Sequence, residues 1–140
     1  MNTSQVMELL VKEESEVLTA YQDHLGYLTI GVGRLIDKRK GGGISKAESR
    51  FLLANDVARF ELAALGYPWY ADLDEARQGV IVAMLFQLGS LDKWAGLRAA
   101  LGSRNWDKAA DSMLASLWAK QTPARAERMA KIMRTGVWAS

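Results

Sequence analysis

Glu13, Glu14, Glu16, Asp23 and Thr29 crowd the first 29 positions of this 140-residue chain. Carboxyl groups give or take protons, and a hydroxyl can do both while holding a water molecule. Two carboxyls become a catalytic pair when their surroundings differ, so that one stays protonated as an acid and the other ionised as a base. On a helical wheel centred on Leu10, Glu14 lies about 40° and Glu13 about 60° to opposite sides, and Glu16 about 120° away, at 100° per residue. Glu13 and Glu14 therefore both flank the apolar face formed by Val6, Leu9 and Leu10. Desolvation there raises a carboxyl pKa, whereas Glu16 is solvated. Asp23, in a turn-rich stretch, is expected to stay ionised. Two carboxyls in unlike environments meet the needs of glycosidic bond hydrolysis, one protonating the leaving oxygen and one serving as base or nucleophile. The wheel leaves Glu13 and Glu14 as equal candidates for the acid.

Composition removes other chemistries. The chain has no cysteine and a single histidine, His24, which excludes thiol nucleophiles, disulfide frameworks, cysteine-ligated metals and histidine-rich metal sites. Hydrolysis would then rest on carboxylates, hydroxyls or lysines, with no metal or cofactor expected. A hydrophobic share of 49% with 24% charged residues is the balance of a soluble globular protein, and the length suits one domain that needs no staples. The Gly31, Val32, Gly33 element lacks the third glycine and following helix of a dinucleotide fingerprint, and reads instead as a turn whose backbone passes close to the candidate carboxylates.

The elements that must position these groups follow from local patterns. Residues 3–12 read as a short amphipathic helix, and residues 19–36, rich in β-branched and aromatic side chains with glycines at 26, 31 and 33, as short antiparallel strands. Gly41, Gly42 and Gly43 mark a loop. Ser45 and Glu48 form a capping box that opens a helix to about residue 65. Asp72 or Asp74 caps a helix over residues 75–88 that Gly89 stops; its middle is apolar on every face, which makes it the central buried helix. Helices are predicted over residues 91–101 and 106–118, and Thr122 with Pro123 starts a last one that runs to about residue 134, before Gly136. The fold class is α+β, mostly α. A single domain over residues 1–140 comprises a strand-bearing lobe over about 13–50 and a helical lobe over about 51–140 plus the N-terminal helix, with the 46–65 helix as the bridge. The five tryptophans, at positions 69, 94, 106, 118 and 138, are expected mostly in the core, with one or two exposed.

The net charge is only +2, but Lys120, Arg125, Arg128, Lys131 and Arg134 face Glu127 alone near the C-terminus. Such a segment is drawn to polyanions, and steering of this kind is screened by salt. Lys12 and Glu13 interrupt the N-terminal stretch before a secretory core develops, and the longest apolar run, residues 80–86, is too short to span a bilayer. The expectation is a soluble cytoplasmic chain without stable membrane insertion.

The spacing Glu14, Asp23, Thr29 is an E-x8-D-x5-T triad. It resembles the active-site segment of the T-even phage lysozyme family, the endolysins of glycoside hydrolase family 24. The resemblance runs on through Ser45 to Glu48, Asn55 to Val57, Phe86 to Gly89, Trp106 to Ala110, Trp118, Gln121 to Pro123, Arg125, Arg128 and Arg134 to Trp138. It implies a two-lobed lysozyme-like fold and hydrolysis of the β-1,4 bond between N-acetylmuramic acid and N-acetylglucosamine in bacterial peptidoglycan, causing host lysis. By this resemblance Glu14, rather than Glu13, is the general acid, while Asp23 and Thr29 position and activate water, giving inversion at the anomeric carbon. Leu35, Phe86, Gln87 and Gln121 match substrate-binding positions, whereas Ser112 and Leu117 stand where many relatives carry polar residues. The resemblance further implies a monomer that binds no nucleic acid, made in the host cytoplasm and reaching the periplasm and cell wall through a separate holin.

Two other readings compete: a wall-binding or membrane-active protein driven by the basic C-terminal helix, and a lytic transglycosylase. The complete triad disfavours the first, and Asp23 with Thr29 disfavours the second, which needs no activated water. Finally, Arg34 and Asp56 are expected to pair across the strand-to-helix junction.

Overall fold

Helix ends show most directly how this sequence folds, because the first N–H groups and last carbonyls of a helix need partners from outside it. The computed structural model describes residues 1–138, and the chain divides into two compact units, Met1–Phe51 and Leu52–Ser140. In the first unit, α1 (Thr3–Glu14) is capped by Asn2, whose side chain accepts from the Gln5 N–H at 3.1 Å. The helix runs two residues past its predicted end, so Glu14 is its last residue. Ser15, at φ 63°, then turns the chain into the sheet.

Strands β1 (Val17–Gln22), β2 (Leu28–Gly31) and β3 (Arg34–Leu35) form an antiparallel sheet in that order. Thr29 of β2 pairs with Tyr21 on one side and Leu35 on the other, which seats it mid-sheet. Gly31 and Gly33 take φ values of +67° and +64° in the β2–β3 turn, a region open to glycine. A 3₁₀ turn, Lys38–Lys40, and the three glycines lead to α2 (Lys46–Ala64). The predicted capping box is formed in full: the Ser45 hydroxyl accepts from the Glu48 N–H at 3.1 Å, and Glu48 accepts from the Ser45 N–H at 2.9 Å.

In the second unit α3 (Glu75–Leu88) is capped by Asp74 and ends at Gly89. Val80, Ile81, Val82, Met84 and Leu85 are buried, whereas Phe86 in its last turn is 46% exposed. Then come α4 (Ala95–Gly102), α5 (Trp106–Leu114), α6 (Leu117–Gln121) and α7 (Pro123–Thr135). Packing of α7 against α3, α5 and α6 completes the core, with Leu97, Leu101, Met113 and Met133 fully buried.

Two local expectations are corrected and a third holds. The helix predicted from residue 91 starts at Ala95: residues 91–94 close a separate turn in which the Trp94 N–H donates to the Leu91 carbonyl at 2.9 Å, and the Leu91 N–H donates to the Tyr67 hydroxyl at 2.9 Å. The helix predicted over 106–118 is two helices, since Ser116 caps α6 by accepting from the Ala119 N–H at 3.1 Å. The helix start at Thr122 and Pro123 is as predicted, with Thr122 at the N-cap position and its hydroxyl donating backward to the Trp118 carbonyl at 2.9 Å.

The expected Arg34–Asp56 pair is also corrected. Arg34 pairs with Glu48 at 2.7 Å, and Asp56 pairs with Arg59 three residues on at 2.8 Å. Both carboxylates lie on α2, and the capping box already aims Glu48 at the start of the helix, so it takes the arginine. The basic segment is likewise less free than its sequence suggests, because Arg134 is engaged by Asp107 and Asp111 of α5. Among the tryptophans, Trp118 is buried, Trp69, Trp94 and Trp106 are half-buried, and Trp138 is exposed.

Candidate active site

The β1–β2 turn fixes Asp23. Its backbone N–H donates to the Tyr27 carbonyl at 2.8 Å, and its Oδ1 accepts from the N–H groups of Leu25 and Tyr27, both at 2.9 Å. The Tyr27 N–H, with smaller contributions from the Leu25 N–H and the nearby His24, holds the Asp23 carboxyl below the ordinary aspartate range. Both bonds land on Oδ1, so Oδ2 is the oxygen left to accept from another molecule. Thr29, 5% exposed, donates its hydroxyl proton to the same Tyr27 carbonyl at 3.0 Å. Asp23 and Thr29 thus hang from one backbone oxygen, and the Thr29 hydroxyl keeps its lone pairs available as acceptors.

Glu14 ends α1 and is exposed; α1 itself carries no buried residue. The apolar wall expected beside Glu14 is therefore replaced by backbone. A Cβ built on Gly33 would stand 3.2 Å from the Glu14 Oε2, so the β2–β3 turn passes against this carboxylate, as expected for the Gly31 to Gly33 element. Glu13 and Glu16 are exposed as well.

The candidate substrate residues divide between the two units, Leu35 in the first and Phe86, Gln87 and Gln121 in the second. Leu35 is half-buried in β3 beside Thr29. Phe86 meets Phe60 edge to face at 5.5 Å and borders a cavity of ≈ 530 Å³ with Val57, Gly79 and Trp138. Gln121 borders a different cleft of ≈ 550 Å³, together with Trp94, Ser112, Leu117 and Trp118. Gln87 is joined to that cleft through Trp118, whose indole N–H donates to the Gln87 Oε1 at 2.8 Å. Leu117 is 68% exposed there and Ser112 half-buried. Among the described residues no group of three or more His, Asp or Glu side chains is placed to hold a metal ion.

Sequence reasoning passed over Asp37 and Arg39. Asp37 is 4% exposed, and with Arg77 it makes up the buried charged groups among the described residues. Its Oδ1 accepts from the Arg39 N–H at 2.9 Å and from the Arg39 Nε at 2.8 Å, and its Oδ2 accepts from the Leu28 N–H at 3.2 Å and from the Arg39 Nη2. The Arg39 guanidinium, aided by the Arg39 and Leu28 N–H groups, holds the Asp37 carboxyl far below the ordinary range. The available signal was an aspartate two residues before an arginine at the head of a glycine run, a common way to close a turn.

A small antiparallel sheet holding an ionised aspartate beside a buried threonine, a glutamate at a helix end and a larger helical unit are the features of an α+β protein of the lysozyme class. Residues 11–134 match the family described as phage lysozyme, and the chain belongs to that family. It is similar to the proteins named Probable T4-type lysozyme 1 and 2 of Dictyostelium discoideum, each 27% identical over 162 residues, with 95% of this chain and 95% of each relative covered. It is also similar to the Pre-baseplate central spike protein Gp5 of Enterobacteria phage T4, at 29% identity over 158 residues that cover 92% of this chain and 27% of that protein. At the level of the family, its activity is that of a lysozyme hydrolase acting on peptidoglycan.

Proposed function

We propose that this chain is an inverting muramidase that cleaves the β-1,4 bond between N-acetylmuramic acid and N-acetylglucosamine. The observation that carries the reading is the common attachment of Asp23 and Thr29 to the Tyr27 carbonyl. Glu14 gives its proton to the leaving glycosidic oxygen. A water donates one hydrogen to the Thr29 hydroxyl oxygen and the other to the Asp23 Oδ2, which leaves its lone pair to attack the anomeric carbon from the opposite face. Asp23 then takes the proton as the new bond forms, and its depressed pKa keeps it ionised beforehand. One displacement by water inverts the anomer, and it requires more room between the carboxyls than a covalent route does.

The same reading makes the protein a monomeric endolysin, made in a host cytoplasm and delivered to the periplasm and wall by a holin. It binds neither nucleic acid nor membrane stably. No helix among the described residues is long and apolar enough to cross a bilayer. Lys120, Arg125, Arg128 and Lys131 would speed encounter with the anionic wall, with Arg134 already paired.

Replacing Glu14 by glutamine removes the donated proton and keeps the shape, so a folded Glu14→Gln variant should lose wall hydrolysis by at least about 10²-fold. Nuclear magnetic resonance of the first product of the wild-type enzyme should show the α-anomer of a reducing sugar. A retained β-anomer would remove the water from the Thr29 position, an anhydro sugar would signify a transglycosylase, and near-normal lysis by Glu14→Gln would displace Glu14 as the acid.

A further inference from the structure

Asp37 lies on the segment after β3, outside the triad, yet it is the aspartate that the first unit buries. Burying a carboxylate is unfavourable unless hydrogen bonds replace its water, and here they do so completely enough to specify one arrangement. The direction of those bonds is informative. From Asp37, Oδ2 reaches the Leu28 N–H at 3.2 Å. From Arg39, held by Asp37 through a two-pronged contact, Nη2 reaches the Gly26 carbonyl at 3.1 Å. Between these two anchor points the Arg39 guanidinium lies 4.9 Å from the centre of the Tyr27 ring, and the Lys40 ammonium lies 4.7 Å from it.

Gly26, Tyr27 and Leu28 are thus gripped in succession, and the middle one owns the carbonyl from which Asp23 and Thr29 hang. The Asp23 side chain already closes this turn from within through Leu25 and Tyr27. A second closure from outside adds little to turn formation. What it adds is a fixed position for the Tyr27 peptide.

We infer that Asp37 and Arg39 form a clamp that positions the Asp23–Thr29 pair for water activation, acting through Gly26, Tyr27 and Leu28. This rests on the muramidase reading of Asp23 and Thr29. Neither Asp37 nor Arg39 touches the reacting atoms; both are positioning residues. Gly42 locks the clamp's own backbone, since a Cβ there would lie 2.6 Å from the Leu35 carbonyl oxygen, and its N–H donates to the Asp37 carbonyl at 3.1 Å.

The test uses Arg39→Ala, Arg39→Lys, Asp37→Asn and Asp23→Asn in the full chain. Arg39→Ala leaves the buried Asp37 carboxylate without its counter-charge, so Arg39→Lys, which keeps a cation at the 61% exposed position, carries the test where Arg39→Ala or Asp37→Asn does not fold. Initial rates on a soluble peptidoglycan fragment, over a range of concentrations, separate kcat from KM. Hydrogen exchange reports the Leu25 and Tyr27 amides that hold Asp23. The expected result for folded Arg39→Ala is a kcat lower by about 10-fold with KM changed less than about twofold, because misplacement of catalytic groups acts on the chemical step. Exchange at the Tyr27 amide should quicken alongside. Arg39→Lys, which keeps the charge but loses the planar fork, should recover part of the rate. An unchanged kcat in Arg39→Ala, or a loss confined to KM with the Tyr27 amide still protected, overturns the clamp. Asp23→Asn separates the two levels of argument. If it loses activity while Arg39→Ala does not, the clamp alone fails; if it stays active, the reading of the pair fails and the clamp with it.

Discussion

Gly31 and Gly33 make a matched pair through which the placement of Glu14 can be probed without touching Glu14. Both sit in the β2–β3 turn with left-handed backbone, at φ +67° and +64°. A side chain in this conformation meets its own carbonyl, at a cost of roughly 1–2 kcal/mol, so Gly31→Ala and Gly33→Ala should each destabilise the first unit by about that amount. What distinguishes them is what the added methyl would meet. At Gly31 there is nothing within 4 Å; at Gly33 the Glu14 Oε2 stands at 3.2 Å and its Cδ at 3.5 Å. Normal van der Waals clearance requires the carboxylate to retreat by a few tenths of an ångström. Since a displacement of about 1 Å at a catalytic group can cost about 10²-fold, a retreat of this size should lower kcat by about 3- to 10-fold. Urea unfolding followed by circular dichroism gives the stability change, and initial rates on a soluble glycan fragment, corrected for the folded fraction, give the activity change. Equal activity per folded molecule in the two variants would refute the contact between Glu14 and the turn as a functional one, as would a larger loss in Gly31→Ala.

Two further outcomes concern stability. The Arg77 guanidinium donates to the Met133 and Arg134 carbonyls at the end of α7, at 2.7 and 2.8 Å, and to Asp74 at 2.6 Å. Arg77→Met keeps much of the stem but strands both carbonyls, at about 1–3 kcal/mol each, so urea unfolding should show a loss of about 2–6 kcal/mol, and a loss below about 1 kcal/mol would contradict this role. The Asp37 carboxyl, held low chiefly by Arg39, contributes stability that is complete above the unfolded aspartate value near 3.9 and is lost as pH falls from there toward the depressed folded value. Unfolding midpoints of wild type and Asp37→Asn should therefore differ equally at about pH 6 and 8 and draw together below about pH 3; a gap that stays constant into acid would disprove the linkage.

Much of the architecture was legible in short stretches of sequence. The Ser45–Glu48 box, the Asp74 cap, Pro123 at the start of α7 and the glycines at 89 and 136 mark helix ends because each is settled within three or four residues. The richness of residues 19–36 in β-branched and aromatic side chains, punctuated by glycines, marked the sheet for a similar reason. The break at Ser116 was missed because its hydroxyl competes for a backbone group within a stretch otherwise compatible with helix, and the late start at Ala95 because the turn closed by the Trp94 N–H on the Leu91 carbonyl has the same apolar pattern. Arg34 found Glu48 rather than Asp56 because the capping box had already placed one of two sequence-equivalent carboxylates at the helix start.

The candidate site divides along the same line. By itself the sequence nominated Glu14, Asp23 and Thr29 as the candidate triad and marked the turn glycines, since residue type and spacing along a short segment carry that information, and the family match supports a lysozyme reading at the level of the family. Tertiary structure decided that Asp23 and Thr29 share the Tyr27 carbonyl, that Asp37 and Arg39 grip the same turn, and that Trp118 engages Gln87 across 31 residues of chain. Arg77 likewise reaches the end of a helix 56 and 57 residues away. A buried charge or indole N–H must find a partner wherever the fold brings one within about 3 Å, and sequence separation does not encode that distance.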